Sequence, residues 1–175
     1  LGQLAALFVL LTLTGSVLCQ YTSVLLFWAR DYTDRVVLGW QIPTSMFASV
    51  PAGLVLVLLP MSERVFAALR KRRREPRTLS KLRMGITLLA AAYLVMATAA
   101  ALRSSATPSS LWWLMACYTL STLAELLIEP PALALVTRLA PVRMVGMVTG
   151  AYFTAAALAS FLAGALGSLW VRWPH

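Results

Sequence analysis

The chain has 175 residues, of which 60% are apolar and 12% charged, and its mean hydropathy is +0.79. This composition excludes an ordinary soluble globular domain and makes lipid the solvent. The formal net charge of +9 does not point to nucleic acid, because most of it sits in one stretch, at Arg64 and from Arg70 to Arg83.

In chain order, uninterrupted charge-free runs cover residues 1–29, 36–62, 84–102, 104–124 and 144–171. A hydrocarbon core of roughly 30 Å needs about 20 helical residues, so each run is long enough to cross it. The predicted spans are 4–28, 41–69, 84–102, 111–137 and 144–171, and the fold class is an all-α polytopic transmembrane helix bundle. Lys and Arg accumulate in cytoplasmic connectors, which makes the basic stretch 70–83 a cytoplasmic loop and the bilayer the first partner. Its other reading is a polybasic lipid-headgroup contact. Residue 1 is then cytoplasmic and His175 outside. Arg138 and Arg143 fall inside, while Arg30, Asp31, Asp34 and Arg35 fall outside with no net charge. An odd number of spans and a first residue other than Met lead to the expectation of a fragment.

Polar side chains within spans turn toward protein or an aqueous cavity, because lipid cannot satisfy them. In span one, Thr12, Ser16, Cys19 and Ser23 recur at helical steps and are expected on one face. Tyr118, Thr122, Glu125 and Glu129 repeat the pattern in span four. Ser and Thr in such stripes commonly make interhelical hydrogen bonds. Glu125 differs, since an ionised side chain near the centre of a span is unfavourable by several kcal/mol and is usually functional. Glu129 follows one turn later, ahead of Pro130 and Pro131. Prolines at 43, 51, 60, 130 and 131 suit helices that bend around a cavity. Gly146, Gly150 and Thr154, then Gly164 and Gly167, form a small-residue stripe expected to pack closely against another helix.

Cys19 and Cys117 lie within apolar runs and form neither a spaced pair nor a metal motif. The one His is terminal, so no Ser-His or metal-ligand constellation suggests an enzyme, and no metal or cofactor is expected beyond protons as coupling ion.

Motifs in series carry a family resemblance. Trp28-Ala-Arg-Asp-Tyr-Thr-Asp-Arg35 is similar to a Phe-Ala-Asp-Arg-Asn-Thr-Asp-Arg segment, and Ile42-Pro43 and Phe47 follow it. Ser80-Lys81-Leu82-Arg83-Met84-Gly85 opens span three. Thr122-Leu-Ala-Glu125-Leu-Leu-Ile-Glu129-Pro130 and Val136-Thr-Arg-Leu-Ala-Pro141 lie in span four. Arg143-Met-Val-Gly146-Met-Val-Thr-Gly150 and Phe161-Leu-Ala-Gly164 lie in span five. Together they resemble the C-terminal half of a proton-dependent oligopeptide transporter, a branch of the major facilitator superfamily.

The resemblance makes the spans helices seven to eleven of twelve, and implies a missing N-terminal half and a missing last helix. It implies proton-coupled uptake of di- and tripeptides or peptide-like solutes by alternating access across a plasma (inner) membrane. The same resemblance makes Glu125 the carboxylate that meets the peptide amino terminus. Glu129 stands where the family usually has Ser, and Tyr152 where an aromatic borders the substrate. Cys19 replaces the family's acidic residue on helix seven, with Gln20 preserved beside it as a substrate-site residue. Pro51 replaces an Asn that contacts peptide. A thiol is a poor proton carrier near neutral pH, so the paired acids Glu125 and Glu129 are expected to share a proton and take over coupling. The alternatives are a transporter of a non-peptide solute, such as nitrate, an amino acid or a peptide-like natural product, and a degenerate non-transporting paralogue.

Overall fold

A computed structural model describes residues 2–37, 39–72, 76–103 and 108–172. The expected sides of residue 1 and His175, and the basic residues Arg73 and Arg74, lie outside the described residues. Five helical stretches are long and apolar enough to cross a membrane: Phe8–Asp31, Thr44–Lys71, Thr78–Leu102, Leu111–Arg138 and Val145–Trp170.

The first stretch is two helices, α1 (Gly2–Leu18) and α2 (Val24–Asp31), joined by a 3-10 turn at Cys19–Thr22. At the end of an α-helix the last four carbonyls lose their amide partners, and lipid offers none. Side chains take their place. The Gln20 amide donates to the Ser16 carbonyl at 3.2 Å, and the Tyr93 hydroxyl, from the third stretch, donates to the Val17 carbonyl at 2.6 Å. Within the turn, Ser23 donates to the Gln20 side-chain oxygen at 3.0 Å and Thr22 to the Cys19 carbonyl at 2.8 Å. The break corrects the expected single stripe. A 3-10 turn advances about 120° per residue instead of about 100°, so four residues rotate the downstream face by about 80°. Ser16 is buried while Cys19 and Ser23 are half-buried.

Between the first and second stretches, strands β1 (Val36–Val37) and β2 (Trp40–Gln41) pair antiparallel, with Gly39 between them at φ 80°. The Arg35 guanidinium reaches across to Thr44 Oγ1 at 2.9 Å. The second stretch comprises α3 (Thr44–Phe47) and α4 (Val50–Lys71), and restarts just before Pro51. In the first turn of α4 the missing proline amide has no helical acceptor to lose. Pro60, by contrast, lies inside α4.

The remaining helices are α5 (Thr78–Leu102), α6 (Leu111–Leu139) and α7 (Val145–Arg172), the last preceded by a 3-10 turn at Val142–Met144. The expected loop 70–83 is shorter than its charge suggested. Arg70 and Lys71 end α4, and Lys81 and Arg83 lie in the first turns of α5. Lys and Arg are good helix formers whose long stems let the helices continue into the headgroup layer.

Helix α6 is central, packed by α5 along much of its length and by α4, α7 and α1. Toward the β1–β2 end, Leu25, Trp28, Phe47, Met96, Leu114 and Tyr118 form one apolar cluster; farther from it, Leu18, Leu89, Ala124 and Ile128 form a second. Contact between α5 and α6 requires Gly85, where a Cβ would fall 2.5 Å from Ile128 Cγ1. The α1–α2 arm lies against α7, and a Cβ at Gly167 would come within 3.0 Å of Ser23 Cβ. The rest of the expected close-packing stripe is not used. An added Cβ at Gly146, Gly150 or Gly164 meets nothing within 4 Å, because that face of α7 has no neighbour among the described residues.

The β1–β2 end of the bundle is tied by the segment Trp28–Arg35. Trp28, Tyr32 and Trp170 pack ring against ring with centroids 5.1 to 6.3 Å apart, and Trp170 Nε1 donates to Asp31 at 3.1 Å. Asp31 also pairs with Arg30 at 2.6 Å, while Arg103 lies 3.8 Å over the Tyr32 ring.

Candidate functional site

Glu125 and Glu129 project from the middle of α6, one turn apart, which places their Cβ atoms about 5–6 Å from each other. Glu125 is half-buried and Glu129 exposed. The upstream members of the same stripe lie on the same side of α6 and are covered by the bundle. Tyr118 and Thr122 are buried, with Thr122 donating to the Tyr118 carbonyl at 2.8 Å and the Tyr118 hydroxyl reaching the Tyr21 carbonyl at 3.4 Å. The stripe therefore runs from a packed interior to a face that is open in this chain.

Across from the carboxylates lies the break in span one. The 3-10 turn packs against α7 and is reached from α6 by the Tyr118 hydroxyl, and α6 packs in turn against α7 and α5. Cys19 Sγ lies 3.6 Å from Ser160 Oγ of α7, so the thiol is held by a hydroxyl rather than by either acid. Gln20 is buried, and both ends of its amide are engaged inside the turn with Ser16 and Ser23. Tyr152 is half-buried, its ring edge-on to Phe153 at 5.6 Å. Of the expected site residues, Glu125 and Glu129 lie one turn apart on α6, Tyr152 lies on α7, which packs against α6, and Gln20 shapes the backbone of the 3-10 turn.

Tyr21 belongs to this neighbourhood and was not anticipated. On a continuous helix it falls off the Thr12–Ser23 stripe, and in the 3-10 turn its carbonyl meets Tyr118 of the α6 stripe. Its one signal in the sequence is its place in Cys-Gln-Tyr-Thr-Ser, a polar run inside an apolar span.

Among the described residues, neither Glu125 nor Glu129 has a hydrogen-bond or ion-pair partner; the one ion pair found there is Arg30 with Asp31. Two carboxylates at membrane depth without a protein cation can do two things: hold a proton, or receive a cationic group from a ligand. Among the described residues, no group of three His, Cys, Asp or Glu side chains is placed to hold a metal ion.

The sequence pattern of the POT family matches residues 1–175. The peptide transporter YePEPT of Yersinia enterocolitica is 41% identical over 141 residues, covering 79% of this chain and 28% of that protein. The dipeptide and tripeptide permease A of Proteus mirabilis is 29% identical over 150 residues, covering 86% of this chain and 30% of the permease. The chain thus spans under a third of the length of the curated relatives it matches. Among solved structures, a point mutant of the peptide transporter POT with sulfate superposes with a TM-score of 0.84 at 23% identity, over 94% of this chain and 33% of that one. The POT family transporter PepTSo gives a TM-score of 0.79 at 22% identity, over 98% of this chain and 33% of that one. The fold is therefore that of a POT transporter helix bundle, and the chain, an integral membrane protein, belongs to the POT family, the proton-dependent oligopeptide transporters.

Proposed function

We propose that this chain supplies helices seven to eleven of a twelve-helix secondary transporter that takes up di- and tripeptides or peptide-like solutes together with protons. The missing partner is an N-terminal half, which would close the face on which Glu125 and Glu129 lie. Substrate would sit at the interface of the halves, near the membrane midplane, and reach either side by alternating access. The membrane is the plasma (inner) membrane, with the basic end of the bundle in the cytoplasm, because lysines and arginines resist translocation.

The observation that carries this reading is the pair of unpartnered carboxylates on α6, facing a broken helix. Glu125 takes the peptide ammonium, Glu129 shares a proton with it, and Tyr152 borders the substrate. Gln20 holds the turn that presents Tyr21. Protons are the coupling ion, and no other cofactor is needed. The names of the relatives support the substrate class, and one POT family structure holds 5-aminolevulinic acid, an amine-bearing small molecule.

Uptake into proteoliposomes containing the full-length protein tests the substrate class. A labelled dipeptide should accumulate under an inward proton gradient, and its N-acetylated analogue should not. Glu125→Gln should raise the half-saturating dipeptide concentration by about 10- to 100-fold, since a hydrogen bond to a charged group contributes about 1.5–3 kcal/mol. Equal transport of free and acetylated dipeptide, or accumulation of nitrate or a single amino acid in place of peptide, would assign the site to another solute.

A further inference from the structure

At the basic end of the bundle, away from the carboxylate pair, two cavities adjoin. The outer one, about 480 Å³, opens between α4, the start of α5 and the last turns of α6. Among the described residues, Arg77, Lys81 and Arg138 line it together with one carboxylate, Glu63. The Lys81 ammonium rests 4.5 Å over the Phe66 ring, which keeps its stem along the wall. The first turn of α5 opens into the same space at Thr78, and no side chain caps it, so its amides add the partial positive charge of a 25-residue helix.

One step deeper into the membrane the lining changes character. A second cavity of about 220 Å³ presents only apolar surface, from Leu58, Met61, Val65, Met84 and Leu123. The two cavities share Ser62, Phe66, Leu126 and Leu127, so they form one cleft, basic at its mouth and apolar inside. Pro130 and Pro131 lack amides, so the carbonyls of Leu126 and Leu127 have no i+4 donor and are free to accept from a hydroxyl.

We propose that this cleft binds an anionic phospholipid, its phosphate held by Arg77, Lys81, Arg138 and the start of α5, and its acyl chain in the apolar groove. Charge complementarity selects an anionic headgroup over a zwitterionic one. Continuity with the groove selects a lipid over free phosphate, which would leave the apolar half empty. Glu63 sits where it can accept from a headgroup hydroxyl, which phosphatidylglycerol carries. The site is distinct from general polybasic attraction because Arg64 and Arg70, equally basic and on the same helix end, are not part of the lining.

The test is native mass spectrometry of the full-length protein from phosphatidylcholine nanodiscs doped with phosphatidylglycerol. Wild type should retain one phosphatidylglycerol in preference to phosphatidylcholine. Arg77→Gln with Arg138→Gln should lower that retention about tenfold. Met61→Trp, which fills the groove and leaves the basic set intact, should do the same; Met61 is 60% exposed and tolerates the larger ring. Arg64→Gln with Arg70→Gln should leave retention unchanged. Two variants acting on separate halves of the cleft keep the test informative if one of them fails to fold. Wild-type retention in both folded cleft variants would overturn the proposal. So would displacement of the lipid by excess inorganic phosphate, or an equal loss in the Arg64/Arg70 variant.

Discussion

Tyr93 shows how a single hydroxyl permits a helix to break within a membrane. Its 2.6 Å bond to the Val17 carbonyl supplies a donor that neither lipid nor the ended α1 can provide. Tyr93→Phe removes that donor and little volume, and should cost about 1 kcal/mol. The expected outcome is a fall of a few degrees in the thermal unfolding midpoint of the purified protein, with its helix content retained. An unchanged midpoint would mean that the carbonyl finds another partner. The carboxylates were legible at this scale because a charge inside an apolar run is conspicuous in the sequence itself. Tyr21 and Tyr93 were not, because tyrosine suits both core and interface, and their roles exist only once the backbone has broken opposite them.

Among the elements, the two interrupted spans contrast. The restart of α4 was foreshadowed by Pro51, which removes an amide and favours a first-turn position. The break at Cys19–Thr22 contains neither proline nor glycine. It is supported by Gln20, Thr22 and Ser23, whose side chains bond locally in place of the backbone, whereas periodicity alone read Thr12, Ser16, Cys19 and Ser23 as one continuous face. The α5–α6 contact makes a sharper demand. A side chain at position 85 would overlap Ile128, so Gly85→Val should destabilise the pair by about 1–3 kcal/mol. Its signature should be faster protease cleavage of the α4–α5 connector in the folded protein. If Gly85→Val matched wild type in cleavage rate and unfolding midpoint, the close approach of α5 to α6 would not be required for stability.

For the whole molecule, the distribution of polar and small residues identifies a face without naming its partner. The Gly146–Gly150 stretch reads as a close-packing stripe, yet α7 presents it to no helix among the described residues. Spacing states that a backbone can be approached, and only the remaining helices of a full transporter decide what approaches it. The same holds for Glu125 and Glu129, whose lack of a counter-charge among the described residues has meaning only if a ligand and a proton arrive from the side this chain leaves open. Cys19, whose thiol lies 3.6 Å from the Ser160 hydroxyl, stands where the resemblance implies an acid, so the proposed mechanism puts the coupling proton on α6.

That relocation is best tested by comparing two activities of Glu129→Gln in the same proteoliposomes: dipeptide accumulation driven by a proton gradient, and dipeptide counterflow, which needs no net proton movement. The substitution should abolish accumulation while counterflow persists near the wild-type rate, as expected if Glu129 carries the proton while Glu125 still holds the peptide. Undiminished proton-driven accumulation in Glu129→Gln would contradict the account and return coupling to a residue outside the pair.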